Sequence, residues 1–116
     1  MQADVTSAGA LVHLLAVREA RLVRQLQEAM AAAGGGAGVF DAWMKRSSDL
    51  VQAAAEAYIS HVVVLAGQRS LRSASRQLLP VLAAVLRLDC LCRVQANLQW
   101  FLMQGLVTVA EAEQVR

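Results

Sequence analysis

Aromatic side chains are scarce in this chain, with two Trp, two Phe and one Tyr among 116 residues. Nucleic-acid binding calls for a dense basic face or a platform of stacking rings. Here the net charge is only +2 and the arginines are dispersed, so that function class is set aside. Cysteine is nearly absent as well. Cys90 and Cys92 are too few for a disulfide framework and, two apart on a helix, point to different sides. With His13 and His61 they could nominally ligate zinc, but the spacing follows no common zinc pattern, and both are expected to be small buried thiols in a reducing compartment. A long hydrophobic run is also missing. The longest uncharged, strongly apolar stretch, LLPVLAAVL (78–86), is about half of what crosses a bilayer and contains Pro80. The N-terminus carries Asp4 in place of a basic cluster, and ALVHLLAV runs into Arg18 and Glu19 without a cleavage site. Neither a signal peptide nor a membrane span is expected.

What is present is apolar residue, in excess. Hydrophobic residues make up 57% and charged ones 17% of the chain. Exchanging Tyr for the glycines puts the apolar share at roughly 62%, against about 45–50% in an ordinary globular domain. A single domain over 1–116 is long enough for one core. The excess predicts that one of its faces is covered by something else.

The apolar residues recur at helical spacing, and strand patterns are nearly absent. The reading is all-α, an antiparallel bundle of three long helices plus a short C-terminal helix. The first helix is expected to be capped by Thr6 or Ser7 and to end at the glycines 34–36. Its apolar stripe is Leu11, Leu14, Leu15, Leu22, Leu26, Ala29 and Met30, with Arg18, Glu19, Arg21, Arg24 and Glu28 on the remainder. AGGGAG (33–38) reads as a hairpin connection. It is not a phosphate loop, since no strand precedes it and no Lys-Ser or Lys-Thr follows.

The second helix is expected over 39–66, ended by Gly67, with Phe40, Met44, Ser47, Val51, Ala54, Tyr58, His61 and Leu65 facing inward. A polar connector, 68–77, then carries Arg69, Arg72 and Arg76 and reads as a solvated loop, although such a cluster could hold a phosphate or an acidic partner surface. The third helix is expected over 77–104, with Pro80 in its first turn and Gly105 as its stop. Apolar positions nearly surround it, which predicts a central helix or one covered on both sides. Asp89 and Arg93 are spaced to pair across one turn. TVAE (108–111) has the form of a capping box that opens the short last helix.

No nucleophile motif, dinucleotide fingerprint or set of inward-facing paired carboxylates appears. Tyr58 and His61, three apart in EAYISHVVVLAG (56–67), are the nearest thing to a catalytic pair. Their place on the expected inward stripe already accounts for them as packing residues. His13 is expected to be packed or half-exposed, without an acidic partner.

Three stretches, REARLVRQL (18–26), FDAWMKRSSDLVQAAAEAYISHVVV (40–64) and LLPVLAAVLRLDCLCRVQANLQWFLMQGLVTVAEAEQV (78–115), resemble in order the C-terminal helical domain of acyl-CoA oxidases. The closest echoes are AYISHVVV, the Leu79-Pro80-Val81-Leu82 helix start and WFLMQGLVT. The resemblance implies a parent flavoenzyme that uses FAD to convert fatty acyl-CoA to trans-2-enoyl-CoA with release of hydrogen peroxide, in fatty acid β-oxidation. It implies a homodimer in which this domain packs on the flavin and helical domains upstream. The family's catalytic residues and flavin-binding parts lie upstream of the matched segment, so no catalytic, cofactor-binding or metal residue is carried over, and this chain alone is expected to bind no FAD and to be inactive. Starting at Met1 without those parts, it reads as a short isoform, a fragment or a gene-model artefact. Peroxisomal residence follows from the resemblance, yet the terminal EQVR is no Ser-Lys-Leu address. The chain would otherwise be cytoplasmic. The alternative is an independent helical interaction or dimerisation module without enzymatic activity.

Overall fold

In the computed structural model the described residues are 6–32, 34, 36–41, 44–45 and 48–116. All regular structure among them is helical: α1 (Ala8–Ala32), α2 (Ala37–Asp41), α3 (Ser48–Ser73), α4 (Leu79–Ala96), α5 (Leu98–Met103) and α6 (Val109–Val115). Asp4, Ser47 and, in the glycine-rich segment, Ala33 and Gly35 lie outside the described residues.

Long-range contacts set the directions. Leu11, Leu14 and Leu15 cluster with Val64 whereas Leu22 packs on Ala54 and Ala57, so α1 and α3 run antiparallel. Ser60 meets Arg93 and Gly67 lies against Leu86, which makes α3 and α4 antiparallel in a constant register. Arg87 binds Thr6 and Arg21 binds Gln104, so the segment α4–α5 runs parallel to α1. The three long helices are the expected bundle.

Two clusters form the core. The larger joins Leu11, Leu14 and Leu15 of α1 to Val64 of α3, Cys90 and Val94 of α4, Phe101 of α5, and Val107 and Val115 near the end. The smaller packs Leu22 against Ala54 and Ala57, whose short side chains let α1 and α3 approach closely. Ser7 caps α1, its hydroxyl accepting from the Ala10 N–H at 3.3 Å. Thr108 and Glu111 form the reciprocal capping box that opens α6. Pro80 sits in the first turn of α4, where a missing N–H costs nothing.

Several boundaries differ from expectation. Gly67 does not end its helix. α3 continues through it to Ser73, so only 74–78 connect to α4 and Arg69 and Arg72 are helical. The glycine serves packing, because a Cβ there would lie 2.8 Å from Leu86 Cδ1. At the other end α3 begins at Ser48, with α2 a separate short helix. The expected third helix is broken at Asn97, whose side-chain amide donates to the Arg93 carbonyl at 3.0 Å and so competes with the backbone ladder. Gly105 is the stop it was expected to be. At φ 71° it lets its own N–H reach the Leu102 carbonyl and the Leu106 N–H reach that of Phe101.

The inward face of α3 is also rotated from the predicted stripe. Of that stripe Ala54 is buried and Val51 and His61 are half-buried, but Tyr58 and Leu65 are exposed, as are Phe40 and Met44 ahead of the helix, and Ala57, Ser60 and Val64 are buried in their place. Nor is α4 covered on both sides, since Leu79, Val81, Leu82, Val85 and Leu88 all face outward. The principal extents are 55 × 34 × 20 Å. With helices about 10–12 Å across, the molecule is a slab roughly two helices thick, and one broad side of α3 and α4 is left uncovered by the described residues.

Candidate functional site

The interior polar groups converge on α3. Arg18 completes the buried register of Leu11, Leu14, Leu15 and Leu22 and is only 5% exposed. It therefore belongs to the core side of α1, not to the polar face expected for it. Its Nη1 donates to Glu56 Oε2 at 2.5 Å, and its guanidinium stands 5.9 Å from the centre of the Trp100 ring, within cation–π range. Glu56 Oε1 accepts from Ser60 Oγ at 2.7 Å. Ser60 in turn accepts from Arg93 Nη1 at 3.0 Å, while Arg93 Nε donates to Asp89 at 2.9 Å. One chain of charge-assisted contacts thus joins α1, α3, α4 and α5. Burial works against the Glu56 charge, but the Ser60 hydroxyl and the Arg18 guanidinium, with Arg93 further off, outweigh it and hold the carboxyl below the usual glutamate range.

This arrangement locks helices together. A general base needs a free lone pair and access for substrate. Glu56 is half in solvent, but its oxygens are bound to Arg18 and Ser60 and its lowered pKa makes it a weak base, while Ser60 is 1% exposed with a cation on its oxygen. Tyr58 and His61 are not brought together as a reacting pair. Tyr58 is exposed, in disagreement with its expected inward place, whereas His61 is half-buried and bonds through Nδ1 to Glu19 of α1. His13 is exposed. Cys90 is buried but Cys92 is exposed, which corrects its expected burial. Burial, with Asp89 adding to it and Arg93 opposing, pushes the Cys90 thiol up. Among the described residues no three metal-capable side chains come together. Glu19 and Glu56 escaped the sequence reading, although Arg18, at helical spacing from Leu14, Leu15 and Leu22, carried a signal that α1 buries a charge needing a carboxylate.

The second feature is a groove of about 290 Å³ between α3 and α4, lined by Val63, Gly67, Ser70, Leu71, Leu82, Val85, Leu86 and Asp89. Among the described residues that line it, the polar side chains are already used. Ser70 donates to the Ala66 carbonyl, and Asp89 accepts from Arg93. A flavin dinucleotide needs donors for its pyrophosphate, and here it would meet a carboxylate and aliphatic carbon. A hollow beside Trp100, with Arg21, Arg24, Gln25, Glu28 and Gln104, has cations, but Arg21 is held by Gln104 and Glu28 sets a carboxylate among them. These residues do not fit FAD, and no flavin step is assigned to them.

By length and composition alone, α3 is long and apolar enough to cross a membrane. In this fold it carries the Glu56 ion pair and packs on both α1 and α4.

Comparison with curated proteins gives no match, and none of the solved structures matches either. The family model described as acyl-CoA oxidase matches residues 7–116, from the cap of α1 to the last residue of the chain. The chain belongs to the acyl-CoA oxidase family.

Proposed function

We propose that this chain is the non-catalytic C-terminal helical part of an FAD-dependent acyl-CoA oxidase, packing on the catalytic core and supporting the dimer. The observation that carries this reading is the uncovered apolar side of α3 and α4, where Ile59, Val62, Val63, Val81, Leu82 and Val85 stand between 38% and 61% exposed. Apolar surface on that scale marks a contact with another protein surface. The family supplies the flavin and the acyl-CoA chemistry from parts other than this domain. The polar chain through Arg18, Glu56, Ser60 and Arg93 keeps the docking side rigid. Residence in the peroxisome accompanies this proposal.

The test is the size of the native protein in cells, detected with an antibody against residues 68–77, together with peroxide release from acyl-CoA. A band several times larger than 12.4 kDa that co-purifies with flavin is expected, as is no peroxide from the isolated chain. A single band at 12.4 kDa would overturn the proposal and leave an independent helical interaction module.

A further inference from the structure

The exposed apolar residues do not form a round patch. Gly67 lies beside Leu86 and Ser60 beside Arg93, so residue numbers on α3 and α4 that face each other share one constant sum. In that register Tyr58, Ile59 and Val62 occupy one end of the hairpin, while Val81 and Leu78 occupy the other. Val63, Leu82 and Val85 line the groove where the two sets meet. The band therefore runs obliquely from α3 to α4 over roughly 17 residue steps, about 26 Å at 1.5 Å per residue. A helix of about five turns has that length.

The charges around the band are one-sided. Arg69, Arg72 and Arg76 are exposed at the Leu78 end, and among the described residues none of them forms an ion pair. Among the described residues the carboxylates along the band are engaged, Glu56 by Arg18 and Ser60 and Asp89 by Arg93. Asp49, which is in no ion pair among them, lies nine residues beyond Tyr58 at the start of α3, about 14 Å away at 1.5 Å per residue.

We infer that the α3–α4 groove receives an amphipathic partner helix of about five turns whose apolar stripe fills the oblique band and whose end beside Arg69, Arg72 and Arg76 carries carboxylates. The inference rests on the reading above of this face as a contact surface and names the chemistry of what covers it. A second copy of the chain matches less well. In an antiparallel pair centred on the band the arginines of one copy would meet the stretch around Glu56 and His61, where the carboxylate is already engaged and beyond which Asp49 lies, and in a parallel pair they would meet each other. A planar lipid surface does not fill a concave groove. The accessible surface of 7671 Å² agrees with an uncovered site. A compact monomer of this mass exposes about 6,100 Å². The difference, roughly 1,500 Å², exceeds the about 800 Å² that one partner contributes to a standard-size interface.

The experiment uses the full chain and a fluorescent helical peptide of about 18 residues, with a leucine stripe and three glutamates at one end. A second peptide has lysines in place of the glutamates. Anisotropy titrations at low salt should show the glutamate peptide binding about tenfold or more tightly than the lysine peptide. The preference should reverse in the triple variant R69E/R72E/R76E, and Val63→Asp and Val85→Asp should each weaken both peptides by tenfold or more. All these positions are exposed, and circular dichroism checks that the variants keep their helices. Equal binding of the two peptides would overturn the inference. So would self-association that excludes the peptide, or partition onto anionic phospholipid vesicles in preference to it. Any of these results leaves the oxidase reading to the native-size measurement, which does not depend on the peptides.

Discussion

Arg18 and Glu56 stand 38 positions apart in the chain and meet at 2.5 Å, the arginine almost fully buried and the carboxylate half in solvent. The pair ties α1 to α3, and through Ser60 and Arg93 it extends to α4.

Glu56→Gln leaves the buried Arg18 charge without its counter-ion. Breaking a fully buried pair costs about 3–5 kcal/mol. Discounted for the exposure of Glu56, the expected loss is about 1–2 kcal/mol at neutral pH, read by urea unfolding. The pH dependence has a definite sign. The folded pKa of Glu56 is depressed, so its stabilisation is present above the ordinary value of 4.5 and is lost as pH falls from there through the lower folded value. The difference between wild type and Glu56→Gln should therefore shrink as the pH drops through that window. A constant difference across it would contradict the role given to the carboxylate.

Gly67 offers a graded test of the α3–α4 contact. An alanine there gains about 1 kcal/mol of helix propensity but must push aside Leu86 Cδ1, the mobile end of its side chain. The net change in unfolding free energy should stay below about 1 kcal/mol. Valine adds two further methyl groups at the same spot and should cost about 1–3 kcal/mol through overpacking. A neutral valine variant would mean that the helices do not approach here.

The two cysteines should separate by reactivity. Cys92 is exposed, while Cys90 is buried with its thiol pKa raised by burial and by Asp89. Iodoacetamide should modify one thiol per folded chain, and Cys92→Ser should abolish that modification until denaturant is added. Labelling of both sites in the folded protein would show that α4 opens on the timescale of the reaction.

Thr108→Ala removes the hydroxyl that accepts from the Glu111 N–H at 3.1 Å. The cap is worth about 1 kcal/mol, and α6 anchors Ala112 and Val115 in the core. Amide exchange in α6 should speed up by about fivefold, the equivalent of about 1 kcal/mol of local opening, with α1 unaffected. Equal acceleration in α1 would mean that α6 and the bundle open together.

The legible parts of the fold were those written in local chemistry. Ser7, Pro80, Gly105 and the Thr108–Glu111 box mark helix ends because each supplies or removes a particular backbone hydrogen bond near its own position. The Asp89–Arg93 pair is local in the same sense. Gly67 and Asn97 misled for the complementary reason. Glycine tolerates a helix interior when a neighbouring helix needs the space, and the Asn97 amide interrupts a helix only because it turns back onto the Arg93 carbonyl. Neither outcome is contained in the residue type.

By itself the sequence determined that the chain is helical, that it has three long helices and a short one at the C-terminus, that it carries more apolar surface than its own core can hide, and which family it resembles, while the short α2 and α5 were not foreseen. These follow from periodicity, caps and composition, which act within a few turns. Only the tertiary structure decided which side of each helix is core. The α3 stripe through Tyr58 and Leu65 and the one through Ala54, Ala57, Ser60 and Val64 are both apolar enough to be buried. The choice between them came from close approach at small residues and from Arg18 finding Glu56 across the bundle. Those contacts span tens of residues, and one rotation of α3 satisfies them together, leaving the other apolar stripe outside.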